Sequence, residues 1–333
     1  MMAYDSIGPP LFILAPMDDV TDTAFRQTIS HCYPPDLCFC EFVNVDGLMS
    51  PGRNRLLPKL LRADNEPPLV AHIWGLNPDN FYQVGQQIAS GELAQEIGLK
   101  DNFAGIDLNM GCPTRQVVQN GACSALINDK PLAGQIIQAV RQATAGRLPI
   151  SVKTRIGYDD VDPVWSRFLF EQELDMVTFH VRTRKDMSKV PAQWTEFVRL
   201  KQERDELAPH TLLIGNGDIL NRQQGLDLIA SYGLDGVMIG RGVFHDPFAF
   251  SPDSPWPKFS AVQKLELFAW HLQRIKDSGG NPDLQVKRLN KYAKIYVCDF
   301  VGAKELREQI ARQTNFDDLV KLVNESGQNL RLA

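Results

Sequence analysis

A (β/α)8 barrel followed by a small all-helical domain is the architecture this sequence predicts, and three observations predict it. Eight short, nearly continuous apolar runs are spaced along the first 250 residues, amphipathic stretches separate most of them, and strand-like runs stop after a Pro/Ser-rich break at Ser251–Pro257. Strands that are apolar throughout belong to a parallel sheet covered on both faces. Their alternation with helices over about 250 residues fits a closed barrel. The competing open doubly wound sheet would carry a GxGxxG turn after its first strand, and none stands there.

In order, the strands are expected at Leu11–Pro16, Leu37–Val43, Pro68–Trp74, Gly105–Met110, Ile150–Arg155, Met176–Val181, Thr211–Gly215 and Gly236–Ile239. Helical periodicity lies between most of them, at Thr21–Ser30, Asn77–Ala89, Pro131–Ala145, Pro163–Glu173 and Arg222–Tyr232. The barrel is assigned to residues 1–250, a linker to 251–258 and a helical domain to 259–333, with helices at Lys264–Lys276, Gln285–Phe300 and Ala303–Gln313.

Composition narrows the class. The chain has 333 residues, 44% of them hydrophobic and 23% charged, as in ordinary globular proteins. No apolar run is long enough to cross a bilayer, so no membrane partner is expected. The first residues lack a basic flank, and their apolar run fits a barrel strand better than a signal peptide. Six cysteines without a CxxC pair or framework spacing point to a reducing cytoplasm. No HxH, HExxH or carboxylate–histidine cluster suggests a metal. A formal charge of −5 argues against nonspecific coating of nucleic acid but allows a local basic patch.

In such a barrel the reactive groups gather at the C-terminal ends of the strands. Here those ends are Ala15-Pro16-Met17, Cys40-Glu41-Phe42, His72-Ile73-Trp74-Gly75, Asn109-Met110-Gly111-Cys112-Pro113, Lys153-Thr154-Arg155, His180-Val181-Arg182-Thr183, Asn216-Gly217-Asp218 and Gly240-Arg241-Gly242. Cys112, set between a glycine and a proline just past a strand, is held in one place rather than left to pack a core. The glycines of the seventh and eighth ends let backbone N–H groups approach an anion, and Arg241 adds a bidentate cation, so these ends suit a phosphate. Lys153 interrupts an apolar strand and needs an anionic partner or a chemical role. It could be a Schiff-base nucleophile or a cation beside an electron-rich cofactor ring. His180, with Arg182 two residues on, favours a site role.

These stretches resemble the tRNA-dihydrouridine synthases. Ala15-Pro16-Met17 with Val20-Thr21-Asp22 and Phe25-Arg26 is similar to the family's opening. Asp107-Leu108-Asn109-Met110-Gly111-Cys112-Pro113 with Val117 and Gly121 is similar to its signature. Ser151–Gly157, His180–Thr183, Asn216–Ile219 and Met238–Gly242 follow in the same order, and Tyr292–Tyr296 and Ala303–Arg307 are similar to its C-terminal pattern. The resemblance implies an FMN-bound barrel and a helical domain that grips tRNA. NADPH would reduce the FMN, which passes a hydride from N5 to C6 of a uridine while a cysteine protonates C5. Carried across, Cys112 is that acid, and Lys153 and Asn109 flank the flavin and the uracil. His180, Asn216, Gly217, Asp218, Gly240 and Arg241 hold the cofactor's phosphate end, while Ala15, Pro16 and Met17 pack its ring. Arg155 and Arg182 face the substrate. Thiols titrate near about 8.5, so a cysteine donates a proton at neutral pH without special tuning.

Two departures stand out. The family usually has glutamine contacting FMN at the third strand, where this chain has His72, which can still donate a hydrogen bond. The family usually has glycine where Cys123 stands, leaving a second thiol near the site. In the tail, residues 287–312 hold seven basic side chains against three acidic ones, and Lys287, Arg288, Lys291 and Lys294 form a basic stripe suited to tRNA phosphates. Tyr292 and Tyr296 serve either the core or base stacking. The competing readings are an FMN-dependent dehydrogenase of a free pyrimidine or other small molecule, a catalytically inactive RNA-binding relative, and an aldolase-like Schiff-base enzyme. The chain is expected to act as a monomer.

Overall fold

The structure, a computed structural model, describes residues 8–279 and 281–332, except for the side chains of Lys291 and Leu332. The sequence-based assignment of Lys291 to tRNA binding therefore lies outside the described side chains. Among the described residues nine strands form one parallel sheet: β1 (Leu11–Leu14), β2 (Leu37–Phe39), β3 (Val43–Asn44), β4 (Leu69–Trp74), β5 (Gly105–Met110), β6 (Ile150–Arg155), β7 (Met176–His180), β8 (Leu212–Asn216) and β9 (Gly236–Ile239). β1 pairs with both β2 and β9, and β2 pairs with β4, so the sheet closes on itself. The expected (β/α)8 barrel is what the chain forms, with β2 and β3 together filling one of the eight positions.

That shared position differs from the single strand expected at Leu37–Val43. Phe39 aligns with Val70 and Val43 with Ile73, so four residues on one side span three on the other. The extra residue is a bulge, a local twist that re-aims side chains and is common beside functional sites. Its effect here is to bury Glu41, whose carboxylate accepts the Asp19 N–H at 2.8 Å, and to bring Phe42 to the barrel mouth.

Successive side chains on a strand point to opposite faces. One set closes the barrel floor as an apolar cluster that includes Leu11, Ile13, Leu37, Phe39, Met176 and Ile214. The other set, with Phe12, Leu14, Ile73, Leu108, Val152 and Phe179, joins the surrounding helices in the main core. The inward positions nearer the mouth are polar. His72 aligns with Asp107 and then Ser151, while Asn109 aligns with Lys153 and then Thr178.

The tail forms helices at Ala261–Asp277, Asp283–Tyr296, Ala303–Ala311 and Phe316–Leu332. Its apolar residues continue the barrel's outer core: Phe25 meets the His271 and Tyr292 rings at 5.7 Å each. Within the stretch read as a linker, Trp256 is buried against Phe248 and Phe259, with the Lys264 ammonium 5.2 Å from its ring centroid. Two helices longer than ten residues were not anticipated. Glu196–Leu207 buries Glu203 and Arg204 beside Phe197 and Leu200, so its inner face is partly charged and its apolar periodicity faint. Phe316–Leu332 carries Phe316, Leu319 and Val323 at core spacing, and the Phe316 N–H is held by Asp283 at 2.7 Å.

Candidate active site at the barrel mouth

Two cavities open side by side at the C-terminal mouth and share Pro16, Lys153 and His180. The larger, about 520 Å³, runs past Ala15, Met17, Asn216, Gly217, Gly240 and Arg241. The smaller, about 310 Å³, is lined by Phe42, His72, Asn109, Cys112, Thr114 and Arg155, among others. The fold thus brings together every barrel residue the sequence marked, except that Asp218 and Arg182 serve partly to hold others.

The larger cavity is walled by glycines and cations. Gly217 takes φ +135°, and a Cβ on it would lie 2.8 Å from Ala192 Cβ, so only glycine fits the turn. Asp218 pairs with Arg182 through Oδ2 and with Arg241 through Oδ1 at 3.0 Å. Arg182 is buried, donates to the Val190 carbonyl at 2.7 Å, and meets His180 Nε2 at 2.9 Å. Guanidinium can only donate, so His180 Nε2 accepts and the ring hydrogen sits on Nδ1. Burial, then Arg155 and Lys153, hold the His180 pKa well below the usual histidine range. His180 is thus a neutral Nδ1–H donor in a wall of cations. Arg241 is the more exposed cation and lies at the cavity edge.

The smaller cavity holds the thiol. Asn109 Oδ1 accepts the N–H groups of Gly111 and Cys112, both at 3.1 Å, which pins the turn carrying Cys112. Cys112 Sγ lies 3.2 Å from Thr114 Oγ1, and Ser124 Oγ donates to the Cys112 carbonyl at 2.8 Å. Gly111 passes close to the neighbouring strand; a Cβ there would lie 3.1 Å from Thr154 Cα. Arg155 fastens the same turn by donating to the Gly111 carbonyl at 3.0 Å and to the Thr183 and Met187 carbonyls at 2.8 Å each. Burial, then Arg182, lower its pKa to about 10.

Lys153 stands between the two cavities and donates to Asn216 Oδ1 at 3.3 Å. Burial, then the Arg155 charge, lower its pKa to about 8. An ammonium kept this poorly compensated is suited to an anionic or electron-rich guest.

A family model for dihydrouridine synthases matches residues 13–330. The chain belongs to the dihydrouridine synthase family. It is 42% identical over 325 residues to a probable tRNA-dihydrouridine synthase of Staphylococcus aureus strain COL, covering 97% of this chain and 94% of that one. It is also 42% identical over 320 residues to probable tRNA-dihydrouridine synthase 2 of Bacillus subtilis strain 168, covering 95% and 94%. Among solved structures, a complex of 2-naphthoyl-CoA reductase matches with a TM-score of 0.51 at 11% identity. That match covers 71% of this chain and 48% of the other, and it concerns the fold alone.

At Cys123 the backbone shows why glycine would suit the position. Cys123 takes φ +54°, a left-handed conformation that glycine adopts without strain. Its thiol is buried and, chiefly by that burial, its pKa is pushed well above the usual range, which disfavours the thiolate. At the other departure, His72 is buried with Nδ1 2.6 Å from Asp107 Oδ2. Asp107, which the sequence presented only as part of the signature, is thereby the buried partner of a cavity-lining side chain. No local sequence pattern reports it, because it depends on the register that sets Asp107 directly across from both His72 and Ser151.

The tail residues fall in two groups. Lys287 and Lys294 are exposed on the helix Asp283–Tyr296. Arg288 instead pairs with Asp19 at 2.7 Å, and the Tyr292 hydroxyl donates to the Asp19 carbonyl. Arg288 and Tyr292 therefore fasten the helix to the loop after β1, at the rim of the mouth. Tyr296 is core, stacked on Phe268 at 4.8 Å. Among the described residues no helix is long and apolar enough to cross a membrane, and no group of three or more His, Cys, Asp or Glu side chains is arranged to hold a metal ion.

Proposed function

We propose that this protein is a tRNA-dihydrouridine synthase that takes FMN in its barrel mouth, uses NADPH as reductant, and works in the cytoplasm as a monomer. The observation that carries the reading is a pair of adjoining cavities, one lined by glycines and cations, the other by a fixed thiol, with Lys153 lining both. The residues fit the cofactor. The cradle at Gly217 and Gly240, with Arg241 at its edge, suits a phosphate, and His72 Nε2 and Asn109 Nδ2 are buried polar atoms without partners that a ring could satisfy. Ala15, Pro16 and Met17, which line the same cavity, would pack against the ring.

The chemistry a bound FMN supplies is a hydride for C6 of the uridine, from N5 after reduction by NADPH. Everything else falls to the chain. Cys112 gives its Sγ proton to C5, completing the addition of two hydrogens across C5=C6. Asn109 keeps that thiol in register by gripping the Cys112 N–H, and Arg155 does so through the Gly111 carbonyl. Lys153 supplies positive charge where the ring becomes electron-rich, in a site partly shielded from water where such charge counts most. The target base must leave its stack to enter the mouth. Lys287 and Lys294, on a helix anchored at the rim, are placed for tRNA phosphates and support a tRNA substrate over a free pyrimidine.

Purified protein should be yellow and lose its flavin absorbance band when NADPH is added without oxygen. Adding unmodified tRNA should then restore the band as uridine becomes dihydrouridine. A colourless protein that takes up no FMN would sink the proposal.

A further inference from the structure

Two buried polar atoms at the cleft are left without a partner, His72 Nε2 and Asn109 Nδ2. Both residues line the cavity that holds Cys112. What each can offer is set by the other end of its side chain. Asn109 Oδ1 is occupied by two backbone N–H groups, so the amide can only donate. His72 Nδ1 faces Asp107 Oδ2 at 2.6 Å, and Asp107 Oδ1 takes the Ser151 hydroxyl at 2.6 Å. A carboxylate that accepts at both oxygens requires His72 to donate from Nδ1. Burial disfavours the charged ring and lowers the His72 pKa, so Nε2 keeps its lone pair and no hydrogen. One bare acceptor and one bare donor therefore belong to residues lining the same cavity. His72 aligns with Asp107, and Asn109 follows two residues on along the same face of β5.

We propose that His72 Nε2 and Asn109 Nδ2 together read the imide edge of a pyrimidinedione ring, His72 accepting its N3–H and Asn109 donating to the neighbouring carbonyl. Asp107 acts as a positioning residue that fixes the His72 tautomer. The inference rests on the proposed function, which brings two rings with this edge to the site, the isoalloxazine of FMN and the target uracil. Glutamine at position 72 could offer either end of its amide. Imidazole held by Asp107 offers an acceptor alone, so the polarity of recognition here is built by Asp107 and Ser151 from below.

The test is a chemical cycle that needs no turnover. Protein stripped of flavin is titrated with FMN and with N3-methyl-FMN, which lacks the N–H, and binding is followed by flavin fluorescence. If the edge is the flavin's, the methylated ligand binds roughly tenfold weaker to the natural protein, the value of one buried hydrogen bond. The difference disappears in His72→Leu and returns in His72→Gln. Asp107→Asn shrinks the discrimination, whereas a merely structural role would weaken both ligands alike. If the edge is the uracil's, the two flavins bind equally. Protein loaded with FMN then prefers uridine monophosphate to its N3-methyl form by a similar factor, read from the flavin absorbance shift. Equal binding in both pairs by a protein that takes up FMN overturns the inference and leaves the proposed function standing. Failure to bind FMN overturns both.

Discussion

Lys153 reaches across the barrel mouth to donate to Asn216 Oδ1 at 3.3 Å, and Asn216 is itself fixed by donating to the Met238 carbonyl at 2.7 Å. The pair links the thiol cavity to the larger one. Because burial and Arg155 depress its pKa to about 8, Lys153 is charged below that pH and neutral above it. The attraction it would exert on the proposed FMN is therefore largely present at pH 7 and lost as pH rises through 8. Arg155, lowered to about 10, stays charged through pH 9 and does not share the transition. FMN affinity should fall between pH 7 and 9 in the natural protein. In Lys153→Met it should be roughly tenfold weaker at pH 7, in line with loss of one charge-assisted contact, and flat across the range. Equilibrium titration by fluorescence at each pH checks this.

Arg241 shares Asp218 with Arg182 but is much the more exposed of the two arginines. Arg182 is committed to Asp218, His180 and Val190. Arg241→Ala should lower FMN affinity roughly 10- to 100-fold, as expected for a charged phosphate contact, and leave the melting temperature of the flavin-free protein nearly unchanged. Arg182→Ala should lower both, because it also removes the support of His180 and Asp218.

Much of this site could be read in the sequence, and the reason is local. Strand ends in a parallel barrel are short, so Asn109-Met110-Gly111-Cys112 and Asn216-Gly217-Asp218 carry their chemistry within a few consecutive residues. What could not be read depended on contacts across the chain. The β2–β3 bulge follows from a count of residues against β4, which no local pattern reports. The role of Asp107 depends on two side chains 35 and 44 residues away. Arg288 belongs to a basic stripe by spacing, yet Asp19 draws it to the barrel. The helix Glu196–Leu207 stayed hidden because Arg204 is buried through its bonds to the Thr211 carbonyl and Asp235, both at 2.8 Å, so a charged residue sits where periodicity expects an apolar one.

Lys287 and Lys294 give a test of the tRNA face that is separate from the cofactor. Lys287→Ala and Lys294→Ala should weaken tRNA binding and each reduce the slope of log affinity against log salt by up to about 0.9, the release of one phosphate counterion. FMN affinity should not change. A salt titration by filter binding or anisotropy reports both quantities.

The ion pair of Arg26 and Glu66 supports the fold beneath the mouth. Both side chains are fully buried, Arg26 Nε lies 2.5 Å from Glu66 Oε2, and Arg26 NH1 donates to the Thr21 carbonyl at 2.6 Å. Removing one partner strands a buried charge. Glu66→Ala should cost about 3–5 kcal/mol in denaturant unfolding. An exposed pair such as Lys321 with Glu325 should change stability by less than about 1 kcal/mol when broken.

The central claim is that the Cys112 thiol protonates a uridine beside a bound flavin. Its most direct measurement is the mass of an unmodified tRNA transcript incubated with the purified protein, FMN and NADPH, followed by digestion and mass spectrometry. The natural protein should add about 2 Da at a single uridine, the mass of two hydrogens. Cys112→Ala should bind FMN and be reduced by NADPH as before, yet give little or no dihydrouridine. Unchanged dihydrouridine formation by Cys112→Ala, or none by the natural protein, would contradict the account.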